Sequence, residues 1–369
     1  MTRSSEYMGN IVAAAFLLAI AGCGGTPSDV RGADDAVSDI PGVAPSVDGV
    51  EIVEPMVLSP QSAEAAAVLN ARGDPVLVDG KIVYRGASAG LVISEMSQDG
   101  TKLLERSVVY LPDAASDVVV AGGIAYVACG PRGVVVIDVA DPVAPRAMSA
   151  VKTRGAALRL DLQGDRLLVA DGSTGLLLID VTEAASPVPV AAWKSRGYVR
   201  HAILRGDTVY VAEGLFGVTR LRIGDDGFEM VWRYDTGGQA RAVSLAGQKL
   251  LVANGPSGIV MLDVSGQGDP VEEGRMPIDD MARDVLKQSD SGFGFVAAGD
   301  DGIIVVDVSN PEKMVKVGEF VPKRPTNRIR AGQGDRLYVG NDADGMLILD
   351  VSTPDKPLRI FPPLTTPPD

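Results

Sequence analysis

The sequence predicts an all-β fold, a seven-bladed β-propeller built from four-stranded antiparallel blades. Three observations predict it. One block of about forty-two residues recurs seven times, each block carries a strand apolar at consecutive positions, and 43 Gly and 24 Pro punctuate the 369 residues. Hydrophobic residues make up 46% of the chain but aromatics only 5%, so the core must be built from Val, Leu, Ile and Ala, which favours many short strands.

The repeat is counted on the glycine that opens the third strand of each block: Gly90, Gly133, Gly175, Gly217, Gly258, Gly302 and Gly345, which stand 41 to 44 residues apart. GIAYVACGPRGVVVIDVADPVAP from Gly123, GDRLLVADGSTGLLLIDVTEAASP from Gly164, GQKLLVANGPSGIVMLDVSGQGDP from Gly247 and GDRLYVGNDADGMLILDVSTPDKP from Gly334 are variants of one text, and the first copy is the most worn. In the fifth copy the four strands read ARAVSLA, QKLLVAN, GIVMLDV and a last one near EEGRMPI. Val134 to Ile137, Leu176 to Ile179 and Ile303 to Val306 are apolar without alternation, so both faces of the sheet need cover. Seven sheets stacked in a ring supply that cover and leave no end blade.

The first two strands of each block form a hairpin. Gly206-Asp207 suits a two-residue turn with Gly first, a register that sets Arg200 opposite Glu213. The same rule sets Arg241 opposite Asn254, Arg328 opposite Asn341 and Leu158 opposite Asp171. The last copy has its own fourth strand between Pro357 and Pro362, leaving Glu51 to Leu58 as a spare strand to clasp it.

The VxIxDVS-x-P segments, with the YVA-x-G and AR-x-V segments before them, resemble the LVIVD-repeat proteins over residues 75–360. The match is best in copies two, three, six and seven. Copy four departs from it, with Arg222 where Asp138, Asp180, Asp263, Asp307 and Asp350 stand. The resemblance implies a propeller, frequent among exported bacterial proteins, and little about activity.

At the N-terminus Arg3 precedes an apolar run from Ile11 to Gly22. Twelve helical residues rise about 18 Å, too little for a bilayer core of about 30 Å, so the run reads as an export signal. Ile20-Ala21-Gly22-Cys23 is similar to the lipobox of bacterial lipoproteins, which implies cleavage after residue 22 and a lipid (a palmitate among its acyl groups) on Cys23. Gly24 differs from the aspartate that retains such proteins at the inner membrane, so the implied address is the cell envelope, at the outer membrane. The alternative is cleavage after Ala21 and release of a soluble protein. Residues 23–50 read as a flexible linker and 51–369 as the propeller. Cys129 then has no disulfide partner and reads as a small buried hydrophobe.

The formal charge is −14, of which −4 lies in residues 1–50, an acidic balance that speaks against nucleic-acid binding. Against this background Arg200, Arg241, Arg283 and Arg328 recur at the start of the innermost strand of four successive blades, and Lys323, Arg324 and Arg330 add charge near the last junction. Two readings stand: a ring of polar struts, with Arg200–Glu213 as the clearest pair, or a basic rim that receives an anionic group. Phe216 occupies a turn position held elsewhere by Ala89, Arg132, Thr174, Ser257, Asp301 and Asp344, and with Tyr198, His201 and Arg200 it forms a candidate partner contact. The third-strand aspartates read as turn closers. Asn341 to Gly345 echoes a calcium loop, but Ala343 and Ser352 fall where ligands are required, so it reads as a turn.

His201 is the sole histidine, and neither HExxH nor CxxC occurs. No catalytic set, metal site or cofactor is expected. The sequence therefore points to a non-enzymatic envelope propeller that binds a protein or surface ligand through its channel rim. The alternatives are a hydrolase or lyase acting on an exported anionic polymer, with His201 beside Asp171 or Glu213, and a purely structural surface lipoprotein.

Overall fold

A computed structural model describes residues 47, 49–53, 76–87, 90–98, 102–288, 291–332, 334–341 and 345–361. The export signal, Cys23 and most of the linker lie outside the described residues, as does the centre of the loop from Asn341 to Gly345. Among the described residues no helix is long and apolar enough to cross a membrane.

Seven antiparallel sheets form, each from four consecutive strands ordered one to four from the channel outward. The innermost strands are Val76–Asp79, Asp117–Ala121, Arg159–Gln163, His201–Arg205, Ala242–Ala246, Asp284–Lys287 and Thr326–Ala331. The third strands with unbroken apolar text are buried on both faces, as that text requires; Val134 to Ile137 are at most 1% exposed, whereas the blade-four strand Val218–Gly224 carries Arg220 and Arg222 and is only partly buried. Seven apolar clusters lie at the seven interfaces between neighbouring blades. In every blade the pairing of strands three and four shifts register near its middle, as at Leu178/Ile179 and Val136/Ile137. Such a bulge adds twist, which helps flat sheets pack around an axis.

The glycine that marks each repeat has a steric cause. A Cβ on Gly133 would sit 2.1 Å from the Val151 carbonyl oxygen, and one on Gly175 2.0 Å from that of Trp193. Both have positive φ, so strand four crosses the start of strand three where only glycine fits.

The hairpin register expected at Gly206-Asp207 is present, with His201 opposite Ala212, and Gly206 has the positive φ a tight hairpin turn needs. One expected pair is shifted. The whole hairpin from Ala331 opposite Leu337 is one residue off the expected register, so Arg328 faces Gly340, and the irregularity at Asn327 sets Thr326 opposite Asn341. The spare N-terminal strand is also placed differently from the expectation. Glu51–Val53 adds a fifth strand to blade two, with Glu51 opposite Lys152, and does not clasp blade seven. Among the described residues the ring closes without strand exchange: Val83 of blade one packs against Tyr338, Met346 and Ile348 of blade seven.

The third-strand aspartates do close turns. Asp138, Asp180, Asp263, Asp307 and Asp350 each accept the N–H two residues on, at 2.8–3.0 Å. Blade four has no need of one. Its strands Val218–Gly224 and Gly227–Tyr234 are joined directly through Asp225-Asp226, and Arg222 pairs across them with Glu229.

Candidate functional site

The start of the inner strand, the turn between strands two and three, and the connection from strand four to the next blade all meet at one end of the channel. At this mouth, Leu158, Arg200, Arg241 and Arg283 hold equivalent places, each donating its N–H to the carbonyl that ends strand two of its own blade. These bonds fix three guanidinium-bearing backbones around one opening. A cavity of about 220 Å³ lies between them, lined by Leu158, Arg159, Arg200, Arg241, Arg283, Asn327 and Arg328.

Among the described residues, the hydrogen-bond and ring contacts of the three arginines of this first layer are to neutral groups. Arg241 donates to Gln239 Oε1 at 2.9 Å, Arg283 donates to Asn327 Oδ1, and Arg200 lies 5.0 Å over the Tyr198 ring. Among the described residues, none of the three has a carboxylate within salt-bridge distance, and Nε of Arg241 and of Arg283 is buried without an acceptor. Burial, with the charges of Arg200, Arg283 and Arg159, pushes the Arg241 guanidinium down to about 10. Like charges and lost solvent act here in the same direction.

One residue further in, the column reads Asp117, Arg159, His201, Ala242, Asp284 and Arg328, and its charges cancel across the channel. Arg159 of blade three forks onto Asp284 of blade six at 2.9 and 3.1 Å, with the two side chains 11% and 3% exposed. Asp117 of blade two takes Arg330 at 2.6 Å and Arg328 at 3.2 Å, both from blade seven. Burial alone would raise the Asp117 carboxyl, but Arg330, Arg328 and Arg159 outweigh it and hold it below the ordinary carboxylate range.

The same side chains solve a backbone problem. An innermost strand presents one edge to the channel, where its N–H groups have no ladder partner. Asp117 accepts the N–H of Leu160, His201 Nδ1 that of Val243, and Asp284 that of Ile329, in each case from the next blade. Deeper in, Asp161 serves Leu204 and Ser244 serves Lys287 in the same way. His201 is thus a wall residue of the channel rather than part of an exposed patch. Burial and then Arg159, Arg330, Arg328 and Arg205 hold its pKa well below the ordinary value, so it is neutral at pH 7 and its Nδ1 is an acceptor.

Glu213 does not pair with Arg200. The backbone register is as expected, with Arg200 N–H donated to Ala212 O, but the Glu213 carboxylate is fully buried and faces Arg233 at 3.2 Å. Burial pushes its carboxyl up, while Arg233, Thr219 and Ser195 pull the other way. Its column is a latch on the connection arriving from the preceding blade. Asp171 takes the Thr153 hydroxyl at 2.6 Å and Asn254 that of Thr236 at 2.7 Å. In blades two and six the latch is apolar: Leu111 with Cys129, and Ile278 with Ala298, are buried in the same clusters. Burial pushes the Cys129 thiol up to about 12, as befits an inert core residue.

Phe216 and Tyr198 are surface residues, 44% and 41% exposed, lying over the backbones of Gly197 and Gly172. Their neighbour Leu215, which the sequence reading passed over, is 75% exposed. The structure therefore brings Arg200, Arg241 and Arg283 together, moves Arg328 into the paired layer, and sets Glu213 and His201 to structural work. Asp117, Arg159 and Asp284 escaped the sequence reading. Their common column shows in the repeat alignment, but the pairing of blade three with blade six requires a closed ring.

The LVIVD repeat model matches residues 113–153, 154–192, 237–277, 290–321 and 331–361. Blade four, with its direct hairpin, lies between the second and third matches. No curated protein matches the sequence. In fold the chain is similar to a protein from Lactobacillus plantarum (13% identity, TM-score 0.65, 74% of this chain and 91% of that one). It is also similar to the computationally designed Ika8 protein (13%, 0.60, 79% and 86%). A putative 6-phosphogluconolactonase from Bacteroides fragilis is a third neighbour (14%, 0.58, 68% and 83%). At these identities the likeness shows the fold alone. With five matched repeats seated on a seven-bladed ring, the chain is an LVIVD-repeat β-propeller.

Proposed function

We propose that this propeller is a non-enzymatic scaffold that binds an anionic ligand in the mouth of its channel. One observation carries the reading: Arg200, Arg241 and Arg283 surround a cavity of about 220 Å³ and, among the described residues, have no carboxylate within salt-bridge distance, while the charges of the next layer are paired. Guanidinium groups without a salt-bridge partner in a net acidic chain suit a compact anion such as a phosphate or a polycarboxylate, whose oxygens can take several forks at once. The groups a hydrolytic reading would need are engaged elsewhere, with His201 accepting from Val243 and Asp171 and Glu213 serving as latches.

The scaffold is exported and lipid-anchored through Cys23 in the cell envelope, at the outer membrane, where it meets a surface ligand or a protein bearing the anionic group. The support is the short apolar run and the Ile20-Ala21-Gly22-Cys23 segment. Palmitate labelling that persists in Cys23→Ala removes the anchor.

Calorimetric titration with inorganic phosphate and with citrate tests the site. The wild type should bind one of them saturably, more weakly as salt rises. The double variant Arg241→Gln/Arg283→Gln should lose at least tenfold in affinity and keep its melting temperature. Equal affinity in the variant, or no saturable binding of either probe by the wild type, overturns the proposal.

A further inference from the structure

The mouth face is divided in charge. Around blades two to four its turns and connections carry Arg132, Lys152, Arg154, Lys194 and Arg196, all exposed. Among the described residues only Lys152 of these five has an acidic partner, Glu51 at 3.9 Å. Of the acids on this sector's turns and connections, Asp171 and Glu213 are buried in latches, and Asp113, on the connection entering blade two, is exposed. Around blades five and six the same turns carry Asp235, Asp279, Asp280, Asp300 and Asp301. In a chain of net charge −14, five exposed cations thus stand together on one part of this face, with Lys323 and Arg324 a separate exposed pair on the connection between blades six and seven.

Apolar side chains stand on the same side. Leu215, 75% exposed, and Phe216 project at the tip of the blade-four turn, with Tyr198 beside them. The positions equivalent to Leu215 in other blades hold Pro131, Ser173, Pro256 and Asp300, so a large apolar group there is peculiar to this blade.

The N-terminal segment also arrives here. Glu51–Val53 runs along the outer strand of blade two with Glu51 opposite Lys152, Val47 and Val50 pack on the apolar cluster between blades two and three, and Gly49 lies against Arg154. Val47 and residues 49–53, the first described residues, therefore lie beside the basic sector.

We infer that this sector of the mouth face rests on an anionic bilayer. Leu215, Phe216 and Tyr198 reach the interfacial zone and the five basic side chains meet lipid phosphates, the combination by which peripheral surfaces hold membranes. The orientation draws partly on the Cys23 anchor proposed above, whereas the surface chemistry stands without it. Each basic group near an anionic surface contributes roughly a fivefold factor in partition.

The full chain carrying Cys23→Ser, in which no acyl group takes part, provides the test. An environment-sensitive dye is placed at Leu215→Cys or, as control, at Asp226→Cys in the turn at the opposite end of blade four; Cys129 is buried and stays unlabelled. On vesicles of equimolar phosphatidylcholine and phosphatidylglycerol, the dye at 215 should shift to the blue and be quenched by a lipid-borne quencher, and the dye at 226 should not. On phosphatidylcholine alone neither should respond. Adding Lys194→Gln and Arg196→Gln should raise the lipid concentration at half-response roughly twentyfold. Both dyes in water, both in lipid, or an unchanged midpoint in the glutamine variant overturns the inference. So does a dye at 215 that ignores vesicles but is shielded by solubilised envelope proteins, which assigns the sector to a protein partner. Loss of the anchor alone leaves these readouts standing, since palmitate labelling of the wild type decides it separately.

Discussion

Two adjacent layers of the channel differ in what their charges do. Arg200, Arg241 and Arg283 meet only amide oxygens and a ring face, while Asp117, Arg159, Asp284 and Arg328, one residue deeper, are joined across the axis. The strands are the same, and the difference comes from what each layer can reach. A residue of the deeper layer in one blade meets opposite charge from a distant blade, and its side chain also accepts a stranded N–H from the next. Charges there hold the ring together. Charges at the mouth repel one another, and the fold bears that repulsion without using it.

The largest effect expected from this contrast is on stability. Asp284→Ala leaves Arg159 nearly buried without its fork and Ile329 N–H without an acceptor. Removing one partner of a buried pair costs about 3–5 kcal/mol, which a urea midpoint reads directly. Arg241→Gln at the mouth should cost less than about 1 kcal/mol or stabilise the ring, since it relieves like-charge crowding. Equal losses in the two variants would erase the distinction between the layers. Replacing both Arg159 and Asp284 by Met and Leu should recover much of the loss, because an apolar pair leaves no charge stranded.

The next effect depends on pH. His201 sits in the paired layer among guanidinium groups, and its folded pKa is well below the ordinary value of about 6.5. As pH falls below about 6.5 the unfolded chain takes up a proton that the folded chain refuses. Stability present above that pH is therefore lost on acidification, by up to about 1.4 kcal/mol per pH unit. His201→Gln keeps an acceptor for Val243 N–H and does not titrate. The difference in urea midpoint between wild type and variant should move in the variant's favour from pH 7 to pH 5. Parallel pH profiles would place the imidazole outside the guanidinium field.

The architecture was legible because its determinants repeat. Gly133 and Gly175 recur since strand four passes too close for a Cβ, and Val134 to Ile137 is uniformly apolar since neighbouring blades cover both faces. Hairpin register followed from Gly206, and four of the five turn aspartates from their place before Ser or Thr. The candidate site was half legible. The sequence aligned Arg200, Arg241 and Arg283, yet it also offered Glu213 as the partner of Arg200, because backbone register says nothing of a side chain's direction. Glu213 turns instead to Arg233 and Ser195, joining a latch column that blades two and six fill with apolar pairs. Opposition across the ring, as of Arg159 and Asp284, lies 125 residues apart in sequence and follows only from closure.

The smallest effect contrasts a repeated feature with the one blade that lacks it. Asp307 accepts the Ser309 N–H at 2.9 Å and the Ser309 hydroxyl, closing the turn that leads to strand four of blade six. These bonds hold its carboxyl below the ordinary carboxylate range. Asp307→Ala opens a partly exposed turn whose groups water can reach, so the cost is about 1 kcal/mol rather than that of a buried orphan. In blade four the corresponding Arg222 closes nothing, since Asp225-Asp226 joins the strands directly and the Arg222–Glu229 pair is exposed to solvent. Arg222→Ala should leave the urea midpoint where it was. A loss at Arg222 equal to that at Asp307 would mean that the column matters for the strand it ends, and not for the turn it begins.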